Sequence, residues 1–294
     1  VVLLKQQQQN DLSKDKYMVE AMKYPAFKVV YVPVLNIEYI NTMKLEAELL
    51  ATDLFLNKYR GVIMTSQNAA KMLKESFIKN NNVDNDKIKN MLSKKITFYC
   101  MKSCKDVLDS FLPSCKCIGT NSKNATELSN MIIEDINLST SALPLKTGIT
   151  RTAVSLLYLS GETRREELPN RLNEFDNSLL ILDEINVYKS TIHNQIKLPD
   201  SINHKKMKSW IVFFSPLGVK GIFHQHLENV KKWITSENTN IKFAAIGKAT
   251  GNAIFNELQE RNILLRTKEE EEDTIRNNVL IASEPRVEVL YREM

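Results

Sequence analysis

Hydroxyl side chains recur where apolar runs stop. Gly61-Val62-Ile63-Met64 ends at Thr65-Ser66 before Gln67-Asn68-Ala69, and Trp210-Ile211-Val212-Phe213-Phe214 ends at Ser215-Pro216-Leu217-Gly218. A second pair follows at nearly equal intervals: Ile96-Thr97-Phe98-Tyr99-Cys100 leads to Ser103, and Phe243-Ala244-Ala245-Ile246-Gly247 leads to Thr250. Such groups have two chemical uses. Ser and Thr are favoured N-caps, so one of them at a helix start reads first as a cap. In open α/β sheets, however, strand C-termini and the helix N-termini that follow them line the ligand crevice, where free N–H groups and the helix dipole favour anions. Four hydroxyls at matched positions in two halves point to two comparable anion-receptive edges.

Other constellations are poor. The chain has no G-x-x-x-x-G-K-[ST], no G-x-G-x-x-G and no G-x-S-x-G, and its 8 glycines leave little room for a phosphate-cradling loop. Nucleotide binding and a serine nucleophile at Ser66 or Ser215 are therefore not expected. Cys100, Cys104, Cys115 and Cys117 fall in one short stretch, and C-x3-C followed by C-x-C does not match the paired C-x2-C ligands of structural zinc sites. Reduced thiols and no metal are expected. The four histidines add little, since His224 and His226 are two apart on an expected helix and point away from each other. A net charge of +5 suits an anionic ligand without forming the basic stripe of a nucleic-acid protein. The longest apolar runs are far short of the roughly 20 residues that cross a bilayer, and Val1-Val2-Leu3-Leu4 is not followed by the features of a secretory signal.

The elements that position these hydroxyls follow from periodicity. Strand-like runs at Val29–Leu35, Gly61–Met64, Ile96–Cys100, Leu156–Leu159, Leu179–Leu182, Ile211–Phe214 and Phe243–Ile246 alternate with helix-period segments. That alternation predicts α/β domains with largely parallel sheets. The paired strand ends predict an internal duplication, hence two α/β domains of similar design across the 294 residues. Leu157-Tyr158-Leu159-Ser160-Gly161-Glu162 adds a further strand and turn, and Pro169 is placed where the first turn of a helix tolerates it.

Several of these pieces occur in a familiar order. They are Val32-Pro33-Val34, Thr65-Ser66, Asn124-Ala125 before Leu128, Ser160-Gly161-Glu162 leading to Arg165-Glu166-Glu167-Leu168-Pro169, Val187-Tyr188-Lys189-Ser190, Phe213-Phe214-Ser215-Pro216, and Lys242-Phe243-Ala244-Ala245-Ile246-Gly247 ending in Thr250. Over roughly residues 24 to 265 the sequence resembles uroporphyrinogen-III synthase. The resemblance implies two three-layer α/β domains joined by a two-strand linker, with a cleft between them. Residues 1 to about 35 and about 188 to 294 would form one domain, and about 36 to 187 the other. It implies a lyase of haem biosynthesis that closes hydroxymethylbilane, a linear and carboxylate-rich tetrapyrrole, into uroporphyrinogen III with inversion of the last ring. No cofactor is implied, and the protein would be a cytoplasmic monomer supplied by the preceding pathway enzyme, with neither nucleic acid nor membrane as a partner. A non-catalytic binding protein for carboxylate-rich tetrapyrroles is the alternative.

The resemblance also assigns expected roles. Tyr188 lies where the chain would return to the first domain, and its phenol is the candidate proton donor, with Thr250 next. Thr65, Ser66, Asn68, Ser103, Ser215 and Gly247 are the candidate substrate contacts, and Arg164, Arg165 and Lys242 the candidate cations for carboxylates. The chain departs from the family pattern at Ser103, where many relatives carry Thr, and at Lys248-Ala249, where Pro-Thr is frequent. Lys146–Ser155 reads as an insertion, Lys268–Asp273 as a charged run, and Arg286–Met294 lacks the expected terminal helix pattern.

Overall fold

A computed structural model of the chain describes residues 1–7, 15–79, 85–141, 153–175, 179–203, 208–235, 240–263 and 278–294. The chain opens with β1 (Val2–Leu4), α1 (Lys16–Ala21), β2 (Val30–Tyr31) and β3 (Leu35–Tyr39). Next come α2 (Thr42–Leu50), α3 (Thr52–Lys58), β4 (Gly61–Met64), α4 (Gln67–Lys79), α5 (Asn85–Lys95), β5 (Thr97–Cys100), α6 (Lys102–Leu108) and β6 (Lys116–Ile118). They are followed by α7 (Ala125–Ser141), β7 (Val154–Gly161), α8 (Glu167–Glu174) and the long β8 (Leu180–Ile192). The last part holds β9 (Ser209–Phe213), α9 (Pro216–Gln225), α10 (Leu227–Thr235), β10 (Ile241–Ala245), α11 (Lys248–Glu260), β11 (Val279–Ile281) and α12 (Val287–Glu293).

The chain divides into two compact units, Val1–Asn36 with Thr191–Met294 as unit 1 and Ile37–Ser190 as unit 2. Both β3 and β8 run through this division, and they pair antiparallel: the Ile40 N–H donates to the Val187 carbonyl at 3.0 Å and the His193 N–H to the Val34 carbonyl at 2.9 Å. The expected strand Val29–Leu35 is two strands, β2 and β3, separated by Val32-Pro33-Val34. Proline lacks the N–H that a ladder needs, so the run breaks there.

Unit 1 carries the sheet β11-β10-β9-β1-β2, and unit 2 most of the sheet β3-β8-β7-β4-β5-β6. In unit 1 every pair is parallel, as are β4 with β5 and β7, β5 with β6, and β7 with β8. Each sheet is covered on both faces, which explains why its strands read as continuous apolar runs. Residues alternate between the two cores. Val62, Met64, Phe98, Cys100, Leu157 and Leu159 join one core, while Ile63, Tyr99, Leu156 and Tyr158 join the other. In unit 1, Ile211, Phe213, Phe243 and Ala245 face α9, α10 and α11, while Leu3, Val212 and Ala244 face α1 and α12.

One strand and one helix are not among the expected elements. Val2–Leu4 is an interior strand of its sheet, buried between β9 and β2, although three residues are too few to show a period. The segment Arg286–Met294, read as lacking a helix pattern, contains α12, which buries Val287, Val289, Leu290 and Tyr291. Its apolar stripe spans two turns, too short to stand out from sequence, and it is held by Tyr24 stacking on Tyr291 with ring centroids 6.1 Å apart. The stretches Asn80–Asn82 and Lys268–Asp273, His204, and residues 146–152 of the inserted segment lie outside the described residues.

Gly61 opens β4 where neighbouring strands approach closely. A Cβ there would lie 2.6 Å from Tyr99 Cε2 and 2.7 Å from the Thr97 carbonyl oxygen. The ring cannot retreat, because Tyr99 is fully buried and its hydroxyl donates to Asp135 at 2.7 Å. Gly61→Ala should therefore lower unfolding stability by about 1–3 kcal/mol, as overpacking of a close-packed interior does, and urea denaturation would measure it.

Candidate functional site

The hydroxyls singled out from sequence lie at the C-terminal ends of parallel strands, where each chain turns into a helix. In unit 2, Ser66 precedes α4: its carbonyl accepts from the Ala69 and Ala70 N–H groups, and its Oγ accepts from the Asn68 N–H at 3.2 Å. In unit 1, Ser215 caps α9 in the same manner, its Oγ accepting from the Gly218 N–H at 3.1 Å with Pro216 in the first turn. Both serines thus act as caps. Half-buried, they leave other N–H groups of the first turn, such as that of Leu217, without an acceptor inside the helix.

The second pair is offset from the expected one. Helix α6 starts from Met101, so Ser103 lies in its first turn, exposed, while the next residue, Cys104, is buried and donates its Sγ–H to the Met64 carbonyl at 3.5 Å. Helix α11 starts from Gly247, and Thr250 is buried three residues on, its N–H donating to the Gly247 carbonyl at 3.1 Å. Counted from the helix starts, the counterpart of Thr250 is Cys104 and not Ser103. Residue type alone selected the serine, whereas helix phase selects the cysteine.

Strands β7 and β8 assemble a polar cluster beside Thr65. The Thr65 and Tyr158 hydroxyls are 3.1 Å apart. Ser160, buried, donates towards Glu184 Oε1 at 2.5 Å and approaches Asn186 Oδ1 at 2.6 Å. Arg164 reaches Glu184 through two nitrogens, with Nη2 to Oε2 at 2.5 Å, and Glu166 through Nη1 at 2.5 Å. Burial raises the Tyr158 phenol above its ordinary value, partly offset by the Thr65 hydrogen bond. At Glu184 burial pushes up, but hydrogen bonds from Arg164 and Ser160 and the guanidinium charge overcome it, and the carboxyl ends below its ordinary value.

Tyr188 sits on β8 where the ladder slips by one residue, so that Gly161 rather than a larger side chain faces it. A Cβ on Gly161 would lie 2.7 Å from the Tyr188 Cζ and 2.8 Å from its hydroxyl. The glycine therefore lets the phenol lie against the end of β7, half-buried, and the Glu162 N–H donates to the Tyr188 carbonyl at 2.9 Å. The bulge and the glycine together aim this side chain.

Of the candidate cations, Lys242 and Arg164 have neighbours that sequence did not show. Lys242 is the second residue of β10, towards the strand's N-terminal end, with its Nζ 5.8 Å from the centre of the Trp210 ring. It flanks a cavity of about 160 Å³ with Lys208, Ser209, Asn240 and Met294, away from the strand end that leads to Gly247. The charge of Arg164 is committed to Glu184 and Glu166. Arg165 is exposed. The structure adds one ammonium that no motif marked, Lys5, which directly follows β1 on the same edge as Ser215; a lone lysine after three apolar residues gave no signal.

The four cysteines are free thiols, three of them buried. Cys115 and Cys117 bring their sulfurs to 3.6 Å. Burial lifts Cys104 to about 11, and hydrogen bonding to Cys100 followed by burial lifts Cys117 to about 12. Neutral thiols of this kind are poor nucleophiles. Among the described residues no group of three or more His, Cys, Asp and Glu side chains is arranged to hold a metal ion, and no helix is long and apolar enough to cross a membrane.

Comparison with known proteins gives a family. The family model described as uroporphyrinogen-III synthase HemD matches residues 17–271. No curated protein sequence is significantly similar to the chain. Among solved structures, uroporphyrinogen-III synthetase from Helicobacter pylori aligns at 16% identity and a TM-score of 0.48, covering 99% of this chain and 96% of that one. A mutant uroporphyrinogen III synthase from the extremely thermophilic bacterium Thermus thermophilus aligns at 14% identity and a TM-score of 0.42, covering 87% of this chain and 88% of that one.

The Glu184 carboxylate generates a prediction for acid. Its folded-state value lies below the ordinary 4.5, so its contribution to stability is present above 4.5 and is lost as pH falls through the lower folded value. Glu184→Gln should cost about 1–2 kcal/mol near neutral pH, because Arg164 and Ser160 lose a charged acceptor. The gap to wild type should narrow in acid well below the carboxylate range. Urea titrations at both conditions would measure it.

Proposed function

The chain belongs to the uroporphyrinogen-III synthase family, whose members are lyases of haem biosynthesis, and we propose that it closes hydroxymethylbilane by positioning rather than by covalent catalysis. The observation that carries this reading is the family match over residues 17–271. The strand-end geometry supports it, since each sheet ends in helix starts that offer hydroxyl and N–H donors suited to a substrate bearing many carboxylates.

The chemistry explains why donors rather than nucleophiles are needed. Loss of the terminal hydroxyl as water leaves an electrophilic azafulvene. The substituted α-carbon of the last pyrrole attacks the azafulvene's methylene carbon, and the resulting spiro intermediate opens and recloses through that pyrrole's free α-carbon, so that the ring is inverted. A final proton loss restores aromaticity. In water alone, closure occurs without inversion. The protein must hold the bilane so that one ring-closing transition state is favoured and water is kept from the azafulvene.

Within this reading Tyr188 donates its phenolic proton to the departing hydroxyl, so that water leaves, and recovers a proton when the last ring rearomatises. Its half-buried position against Gly161 supports the role by restricting the ring. Thr65, Ser66, Asn68 and Ser103 of unit 2 and Ser215, Gly247 and Thr250 of unit 1 take substrate carboxylates or orient the groups that do, with exposed Arg165 adding charge. The reading includes a cytoplasmic monomer that receives hydroxymethylbilane from the enzyme that makes it, since the free bilane closes spontaneously to the wrong isomer.

The test is an isomer assay in which freshly generated hydroxymethylbilane is supplied with and without the protein and the oxidised porphyrins are separated. A dominant type III product is expected, and exclusively type I product from folded protein would overturn the reading. Tyr188→Phe should lower kcat about 10- to 100-fold, in the lower range of general acid catalysis, with type III still in excess. Unchanged kcat would remove the proton-donor role.

A further inference from the structure

Lys5 is the first residue beyond β1, the strand that lies between β9 and β2 in the sheet of unit 1. Parallel pairing sets Leu4 opposite Phe213, so Lys5 stands level with Phe214 and one residue short of Ser215. Its Nζ lies 4.2 Å from the centre of the Tyr17 ring and 5.2 Å from that of Phe214. The two rings meet edge to face with centroids 5.3 Å apart. They hold the ammonium by their negative faces and keep water from it, but they do not use up its three N–H donors.

Among the described residues no carboxylate lies within ion-pair distance of this ammonium. Asp15, whose charge acts on it through space, is already occupied: its Oδ1 accepts from the Tyr17 N–H at 2.9 Å, the Met18 N–H at 3.2 Å and the Tyr31 hydroxyl. A partly desolvated cation without a carboxylate partner among the described residues therefore stands at a strand end, next to the strand that starts α9. The Leu217 N–H at that helix start has no acceptor inside the helix, and the helix dipole is positive there. Both features favour an anion.

We propose that Lys5 binds one carboxylate of the linear tetrapyrrole and so anchors it to the strand-end edge of unit 1. The inference rests on the synthase reading and names a residue of that site outside its sequence motifs. The incoming carboxylate supplies the partner that the described residues do not provide, and the flanking rings restrict its direction of approach. A charge-assisted bond in such a low-water setting is strong enough to select the bound register of the bilane.

The titration of this group gives a signature. Burial first, then repulsion from Lys16, lowers the ammonium to about 8, with Asp15 opposing. The titratable groups facing it are Asp15, Lys16 and Tyr17 at the start of α1, and burial holds Tyr17 un-ionised to about 12. Lys5 is thus charged below about 8 and loses its proton as pH rises through that value. Affinity for a carboxylate should fall in the same window.

The experiment uses the full chain and fresh hydroxymethylbilane, with type III formation as readout. Lys5→Met keeps the apolar stem and removes the charge; KM should rise about tenfold, the effect of one lost charged contact, with kcat unchanged. Lys5→Arg should retain a KM close to wild type. Wild-type KM should climb above pH of about 8, and that climb should be absent in Lys5→Arg, whose guanidinium stays charged. A Lys5→Met enzyme with wild-type KM, a loss confined to kcat, or a wild-type KM that is flat across this window would overturn the role of Lys5. A wild-type protein that yields no type III product would overturn the synthase reading, and this proposal with it.

Discussion

Parallel strand pairing constrains everything else in this chain. Two parallel neighbours cannot be joined by a tight turn, so each needs a crossover, and here the crossovers are mostly helices. The helices cover both faces of each sheet, which is why Ile63 and Met64, adjacent in sequence, belong to different cores. The same geometry sets strand C-termini beside helix N-termini. The strand ends that carry Thr65 and Ser66 in unit 2, and Ser215 and Gly247 in unit 1, are thus by-products of the packing that makes each unit's cores, and function needs only side chains there that suit the ligand.

At the strand ends, structural and functional roles are not exclusive. Ser66 and Ser215 satisfy helix N–H groups through both Oγ and carbonyl, yet each leaves one N–H of the first turn, that of Gln67 or Leu217, without an acceptor inside the helix. Arg164 shows the opposite outcome. Its guanidinium is drawn into Glu184 and Glu166, so a cation that looks available in sequence is spent on tying the segment after β7 to β8. Glycine at position 161 has an equally local cause: the slip in the ladder brings Tyr188 so close that any Cβ would collide with its ring. The phenol is oriented by a void left in the neighbouring strand.

Electrostatics separates the two ends of the sheets. Lys242 belongs to the beginning of β10 and lies against Trp210, whereas Lys5 belongs to the end of β1 and lies against Tyr17 and Phe214. Both are lysines beside aromatic rings, and composition cannot tell them apart. Only the strand direction does, because a strand's C-terminal end faces helix starts and its N-terminal end does not.

The sequence by itself determined the α/β class and the places where strands end, because apolar periodicity and capping chemistry are local and recur at β4, β5, β9 and β10. It also carried the family, through short motifs spread along the chain in order. The short β1 and α12 escaped it, since three or seven residues hold too little period to read. Tertiary structure decided which polar side chains meet. The alignment of Thr250 with Cys104 depended on helix phase, the contact of Tyr188 with Gly161 on a ladder slip, and the fate of Arg164 on a carboxylate 20 residues away. Those outcomes rest on register and direction between elements far apart in the chain, which no window of sequence contains.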